Sequence, residues 1–290
     1  STLPRPDQDK IYGRWFPYGS ASVGYEFTRT LGLDNNPWLS YGKLRGSIAQ
    51  VRKDTGPYRV LSPLAQSTYI GGGFRQGFFG SNPELKPELV TAYETGVDLQ
   101  FLKGRLGLNA GYYYQQTDDQ LIAPRVSQAS GFILQYLNGG TVVIQGVELA
   151  LNGTPVRTPG GFEWSVLANF FHNENRAKRL PSFLTEVNQS DAFIIDVARG
   201  SAFPGRPITS IAAFDFQRAP DGRILIGATG YPLINNTTYV YAGDRAPDFT
   251  TQITNTLRYQ GLELTFMFDF RKGGKVVNGN DWFATRTGLS

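Results

Sequence analysis

The chain has 290 residues, no cysteine and a net charge of +4, which excludes a disulfide scaffold, a thiol nucleophile and a thiolate metal site. Its basic residues are scattered, so nucleic-acid binding finds no support. No run approaches the ~18 apolar residues of a membrane helix, while 34 Gly, 15 Tyr and 20 Phe point to an all-β protein with many turns.

In chain order, residues 15–27 alternate, with Ala21, Val23, Tyr25 and Phe27 on one face, and Asn35-Asn36-Pro37 then signals a turn. Residues 38–51 form a second strand with Ser40, Gly42, Leu44, Gly46 and Ile48 together. Residues 52–86 are long, irregular and rich in Gly, Pro and aromatics; such a loop is usually functional. The next two strands organise the rest. Thr91, Tyr93, Thr95, Val97, Leu99 and Phe101 oppose Ala92, Glu94, Gly96, Asp98 and Gln100; past Lys103-Gly104, Leu106, Leu108, Ala110, Tyr112 and Tyr114 oppose Arg105, Gly107, Asn109, Gly111 and Tyr113. Alternation this long exceeds the ~5–6 residues usual in soluble domains and suits a tilted strand crossing a bilayer in ~9–11.

A second long loop, 118–140, precedes strands at 141–152 and 161–172, where Val143, Val147, Leu149 and then Trp164, Val166 and Phe170 share faces. A third loop, 173–206, leads to expected strands at 206–217 and 223–228 around Ala219-Pro220-Asp221-Gly222. After a fourth loop, 229–247, a hairpin at 249–259 and 262–271 turns on Gln260-Gly261 and aligns Leu264, Phe266, Phe268 and Phe270 against Glu263, Thr265, Asp269 and Arg271. Connections alternate between short and long, as outer-membrane barrels alternate periplasmic turns with outer loops. The expected fold is therefore all-β, an antiparallel up-and-down transmembrane barrel segment of about ten strands. Glu94, Asp98, Arg105, Asn109, Glu148, Glu263 and Asp269 are expected to face the lumen, and Leu99, Phe101, Leu108, Tyr112, Trp164, Phe266 and Phe268 to face lipid.

Candidates for chemistry have bland counterparts. Glu94 and Asp98 stand four apart on one strand, ~13 Å, beyond the ~5–9.5 Å of a hydrolytic carboxylate pair, and read as wetted interior groups. His172 is the only histidine, so a metal site would need an all-oxygen shell from loop aspartates such as Asp118, Asp119 and Asp191; no metal and no cofactor are expected. Gly71-Gly72-Gly73 has no following Lys-Ser/Thr and is not a phosphate loop. The loop aromatics Tyr58, Tyr69, Phe74, Phe78, Phe79, Phe132 and Tyr136 are the candidate contacts for a sugar or peptide ligand; packing of the loops on themselves is the alternative.

Asn82-Pro83-Glu84-Leu85-Lys86-Pro87-Glu88, followed by Tyr93-Glu94-Thr95-Gly96-Val97-Asp98, resembles the hallmark of TonB-dependent outer-membrane receptors, and more narrowly of the SusC/RagA-like receptors of Bacteroidetes. Asn138-Gly139-Gly140, Gln145-Gly146-Val147-Glu148-Leu149, Gly243-Asp244-Arg245-Ala246-Pro247-Asp248-Phe249, Gly273-Gly274 and Asn278-Gly279 extend the likeness in order along nearly the whole chain. The resemblance implies an energised importer of glycans or peptides in the cell outer membrane, with a SusD-like surface lipoprotein as lid, TonB engaged through a plug, and no enzymatic step. It also implies a plugged barrel of about 22 strands whose plug, first barrel half and last strands lie outside these residues, the remaining strands coming from the same receptor or from another chain. A passive porin or structural or secretory barrel, and a soluble all-β carbohydrate-binding module, are the competing readings; a plug upstream of Ser1 separates the first, and solubility without detergent the second.

Overall fold

The computed structural model describes residues 17–33, 36–56, 59–61, 64–66, 72–75, 77–189 and 198–289. Eight strands form one antiparallel sheet: β1 (Gly19–Glu26), β2 (Leu39–Lys53), β3 (Glu88–Phe101), β4 (Leu106–Asp118), β5 (Thr141–Arg157), β6 (Glu163–Arg179), and then, after an insertion, β11 (Phe249–Tyr259) and β12 (Leu262–Lys272). Each strand pairs with its neighbour in sequence, except that β6 pairs with β11 across the insertion.

The registers align like with like across the whole sheet. Ile48, Tyr93 and Tyr114 stand in one row, Leu44, Val97, Ala110 and Leu149 in another, and Ala168, Ile253 and Phe268 in a third. Between these rows run Lys43–Asp98–Asn109 and Ser47–Glu94–Tyr113. One face is thus mainly apolar and the other mainly polar, the exceptions on the apolar side including Gln145, Glu174 and Asn255. The apolar face carries the cross-strand aromatic contacts Tyr93–Tyr114 (6.3 Å) and Phe170–Phe249 (5.6 Å). Such pairs add ~0.2–1 kcal/mol each to pairing.

None of the described residues packs over that apolar face. Val23 is 70% exposed and Phe268 52%. Among the described residues the only buried hydrophobics are Leu134, Val142, Ala177, Val187, Ala202 and Ala212. The chain exposes 20108 Å², where a compact monomer of this mass would expose about 12,000 Å². A soluble module would have folded its apolar rows into a dry centre; here they form a surface.

The two ends of the sheet differ. At one end the strands are joined by 102–105, 158–162 and 260–261, and by 27–38, where α1 (Phe27–Thr30) begins at the Phe27 expected to continue β1. The buried Thr28 hydroxyl accepts from the Gly42 amide (3.0 Å) and donates to the Gly42 carbonyl (3.3 Å), folding α1 back on β2. Gln260 and Gly261 both have positive φ (46° and 84°), the two-residue primed turn that matches strand twist. At the other end lie 54–87, 119–140 and the insertion 180–248.

The insertion corrects the expected strand list. Residues 210–216 do form a strand, β9 (Ser210–Phe216), but it belongs to a separate four-stranded sheet with β7 (Val187–Asn188), β8 (Ala198–Ala202) and β10 (Ile234–Asp244). β10 falls where a loop was expected. The expected strand at 223–228 is instead part of a knot of two tight turns, tied by the bridges Arg218↔Ile224 and Ile226↔Pro232. Ala219–Gly222 and Gly227–Gly230 each close a turn with a backbone bond, which leaves only 223–226 extended between them, held by single bridges rather than a ladder. β6 also runs on to Arg179, past the 172 expected. After β12, α2 (Gly279–Thr287) starts at Asn278, whose side-chain oxygen accepts from the Asp281 amide at 3.1 Å. No helix of the described residues is long and apolar enough to cross a membrane, which says nothing about crossing by strands.

Close packing within the polar face can be tested at Gly146. A Cβ there would fall 2.5 Å from both the His172 carbonyl oxygen and the Tyr113 hydroxyl, so Gly146→Val displaces the Tyr113 ring. We expect a cost of about 1–3 kcal/mol, read as a lower unfolding temperature of the detergent-solubilised full-length protein. Gly46→Ala, whose nearest neighbours lie at 3.9 Å, should leave it nearly unchanged.

Candidate functional site

The polar face organises around Arg45 on β2. Its register partners are Gly96 on β3 and, one strand further, Gly111 on β4. A Cβ at Gly96 would stand 2.8 Å from Arg45 Nε, and one at Gly111 3.7 Å from Nη2. The two glycines therefore open a trough in which the guanidinium lies flat across three strands. From there it donates to Asn109 Oδ1 (3.0 Å) and sits 3.6 Å from Asp98 Oδ1, while Asn109 donates in turn to Asp98. Beside it, Lys43, Ser47, Glu94, Tyr113 and Glu148 line a concavity of ≈560 Å³.

Nearer the short turns a second chain of charges crosses four strands. Arg157 pairs with Glu163 at 2.7 Å, Glu163 with Arg258 at 3.5 Å, and Arg258 with Glu263 at 2.8 Å. These groups are largely wet, so each pair contributes a few tenths of a kcal/mol, ~0.2–1 at most. Their effect is to fix orientation. Arg105 donates to the Thr154 carbonyl at 3.3 Å, and Asp269 stands opposite Gln252. The registers put Glu94, Asp98, Asn109, Glu148, Glu263 and Asp269 on one face and Leu99, Phe101, Leu108, Tyr112, Trp164, Phe266 and Phe268 on the other. The one amide opposite Trp164's neighbours, Asn255, is buried under the indole and accepts from its Nε1 at 3.1 Å. Arg45 and Tyr113 were not among the sequence candidates; the signal was available in Gly96 and Gly111, two glycines brought level by the turn between β3 and β4.

The loop aromatics divide into three groups. Phe78, Phe79, Phe132 and Tyr136 come together where 54–87 meets 119–140. Phe79–Gly80 pairs in parallel with Leu134–Gln135, Phe79 stacks on Tyr136 at 5.1 Å, Phe78 lies 5.4 Å from Phe79, and the Arg59 guanidinium sits 4.8 Å over Tyr136. Phe132 packs on Gly80. Phe74 stands apart, 73% exposed, in a two-residue ladder. Tyr58 and Tyr69, with Asp191, lie outside the described residues.

The loops are bolted together by residues of the ordered motifs. The Asn138 side chain accepts from the Lys86 amide (2.7 Å) and donates to the carbonyls of Lys86 (2.7 Å) and Asp119 (2.9 Å). Glu88 accepts from the Leu121 amide at 2.8 Å. On the far side, Asp244 accepts from the Thr209 hydroxyl (2.6 Å) and the Ala246 amide (3.0 Å), and Asn175 accepts from the Ile208 amide (2.7 Å). His172 is occupied likewise: Nδ1 meets the Asp248 carbonyl oxygen at 2.6 Å. Among the described residues no group of three or more His, Asp or Glu is placed to hold a metal ion. The arrangement offers a wet, mixed-charge wall below and a braced aromatic platform above.

The bolt predicts its own loss. Asn138→Ala removes three hydrogen bonds while leaving the strands untouched; we expect about 1–3 kcal/mol of local destabilisation, seen as faster protease cleavage within 119–140 and unchanged overall unfolding.

A protein-family model described as TonB dependent receptor-like, beta-barrel, matches residues 2–272. Among curated proteins, the chain is 26% identical to TonB-dependent receptor P3 of Formosa agariphila over 91% of this chain and 28% of that protein. It is 31% identical to TonB-dependent receptor SusC of Bacteroides thetaiotaomicron over 62% of this chain and 18% of that protein. Among solved structures, a RagAB peptide transporter chain superposes with a TM-score of 0.68 at 20% identity, covering 86% of this chain and 28% of that one. The chain thus spans under a third of the length of these relatives.

Proposed function

Because the chain belongs to the TonB-dependent receptor β-barrel family of the outer membrane, we propose that it supplies barrel wall and outer loops to an energised importer of glycans or peptides. The observation that carries this is the uncovered apolar face backed by a wet, charged one. Hydrocarbon and an aqueous lumen are the two solvents that such a sheet matches. In this reading Leu99, Phe101, Leu108, Tyr112, Trp164, Phe266 and Phe268 meet lipid. Glu94, Asp98, Arg105, Asn109, Glu148, Glu263 and Asp269 meet the lumen, its water and a plug. The outer edges of β1 and β12 carry no partner strand among the described residues. Open edges are not tolerated in lipid, so further strands of the same receptor close the wall.

Ligand selection falls to the loop end. Phe78, Phe79, Phe132 and Tyr136 form a braced platform on which a sugar ring or peptide can stack. A SusD-like surface lipoprotein is the proposed lid. Its foothold is the tip of the insertion, where Ile224, Leu225, Ile226, Leu233 and Tyr231, the last 74% exposed, are flanked in sequence by the ion pairs Arg218–Asp215 and Arg223–Asp221. An apolar centre with a charged rim is what a protein interface needs. Cargo binding then shifts the plug and exposes the segment that TonB engages; the work is binding and gating, with no covalent step.

Two measurements test this. Phe268→Arg should cost about 2–4 kcal/mol if that ring meets lipid, against a change near zero for Glu263→Gln, read as refolding stability of the full-length receptor in bilayers; equal, small effects would place neither residue in a membrane. Uptake of labelled oligosaccharide or peptide by cells carrying the receptor should stop when TonB is removed. Uptake that continues would mark a passive pore.

A further inference from the structure

On the outward, apolar face, a bulge collects positive charge just above the apolar rows. Val142 pairs with Ala177 but Thr141 pairs with Arg179, so Lys178 is an extra residue in β6. A bulge re-aims side chains, and this one brings Lys178 and Arg179 to the side on which Arg176 and Thr141 already stand. Lys178 and Arg176, with Tyr114, Val143, Gln145 and Glu174, line a hollow of ≈220 Å³. Arg179 donates to the Thr141 hydroxyl at 3.5 Å, and Arg176 pairs with Glu174. Lys178 is exposed and has no hydrogen bond or ion pair among the described residues. The carboxylates nearby are both engaged, Glu174 by Arg176 and Gln145, and Asp118 by Thr141 and Gln116.

A second hollow adjoins it on the side of the short turns. It measures ≈500 Å³ and is lined by Ala21, Val23, Ile48, Tyr93 and Tyr112 around Gly46, whose missing side chain makes the floor. The two hollows have separate linings that touch through their tyrosines. Tyr112 of the apolar one donates to Gln145 of the cationic one at 3.2 Å, and Tyr93 lies 6.3 Å from Tyr114. A strip that passes from carbon-lined to cationic toward the outer end matches one kind of molecule, an anionic amphiphile standing in the outer leaflet.

The geometry points to a site for a phosphorylated membrane lipid, with its phosphate at Lys178 and Arg179 and an acyl chain over Gly46. This rests on the reading that the apolar face meets hydrocarbon. A lipid held there would lie across β2 to β6, beneath the bolted loops.

The test uses the full-length receptor, extracted from its own outer membrane in mild detergent, with retained lipid phosphorus and native mass spectrometry as readouts. Wild-type protein should keep phosphorylated lipid. Lys178→Gln with Arg179→Gln, and separately Gly46→Leu, which fills the apolar hollow where the nearest atoms are 3.9 Å from a Cβ, should each lower retention at least threefold. If the double variant fails to fold, Lys178→Gln alone should still lower it. Millimolar inorganic phosphate should not displace the lipid. Retention equal to wild type in the folded variants, or full displacement by inorganic phosphate, would overturn the lipid site. A wild-type receptor that integrates into bilayers yet carries no phosphorylated lipid would overturn it too. A receptor that never requires detergent would instead sink the membrane reading beneath it.

Discussion

Every strand of the main sheet must satisfy two solvents at once, and its period of two is the only means of doing so. A bilayer offers no water to the backbone, so each amide and carbonyl within it must find a partner on a neighbouring strand. That requirement fixes pairing; alternation then decides which side chains meet hydrocarbon. The consequence runs through the registers, where Leu44, Val97, Ala110 and Leu149 align across four strands while Lys43, Asp98 and Asn109 align on the reverse. A slip of one residue in any strand would exchange the two faces. Two amides on the apolar side are answered locally: Asn255 by Trp164, and Gln145 by Tyr112 and Glu174.

This is why the sheet was legible in the sequence and the insertion was not. Alternation over ten or so residues has no other common cause, and the strands from Gly19 to Asp118 and from Phe249 to Lys272 were placed within a few positions. Freed from the two-solvent rule, the insertion uses other signals. β10 reads Ile-Asn-Asn-Thr-Thr-Tyr, polar at successive positions, and looked like a loop. Ile224-Leu225-Ile226 has apolar residues at successive positions and reads as a strand, but it is a short stretch between two turns, held by a single bridge on each side. Nor does alternation in 210–216 reveal which sheet receives it. The small dry centre of the insertion comes from Ala202, Ala212 and Ser201, with Tyr239 stacked on Phe214 at 4.2 Å and Arg199 over Tyr239 at 3.8 Å.

The candidate site was legible by face but not by contact. That Asp98 and Asn109 share a surface follows from counting; that Arg45 joins them depends on a neighbouring strand whose register no local pattern states. The motif residues show the same limit. Asn138 bonds to Lys86, 52 positions earlier, and Asp244 to Thr209, 35 earlier. Their reason for being Asn and Asp is a backbone amide or a hydroxyl that only the folded loops bring near. The resemblance to known receptors located these residues, and the hydrogen bonds supply the physical cause.

The unequal ends of the sheet follow from unequal tasks. At the short-turn end, joints such as Gln260-Gly261 need only a positive φ, and the charge ladder from Arg157 to Glu263 holds four strands level. At the other end, backbone leaves the sheet for long stretches and must be satisfied without ladder partners. Side-chain amides and carboxylates take over that role, each bridging two segments far apart in sequence. Bridges of this kind are worth about a kcal/mol each, far below the cooperative cost of unpairing a strand. Motion is therefore expected to begin in the loops and stop at the sheet. The sheet is in this sense a fixed frame for the loops it carries.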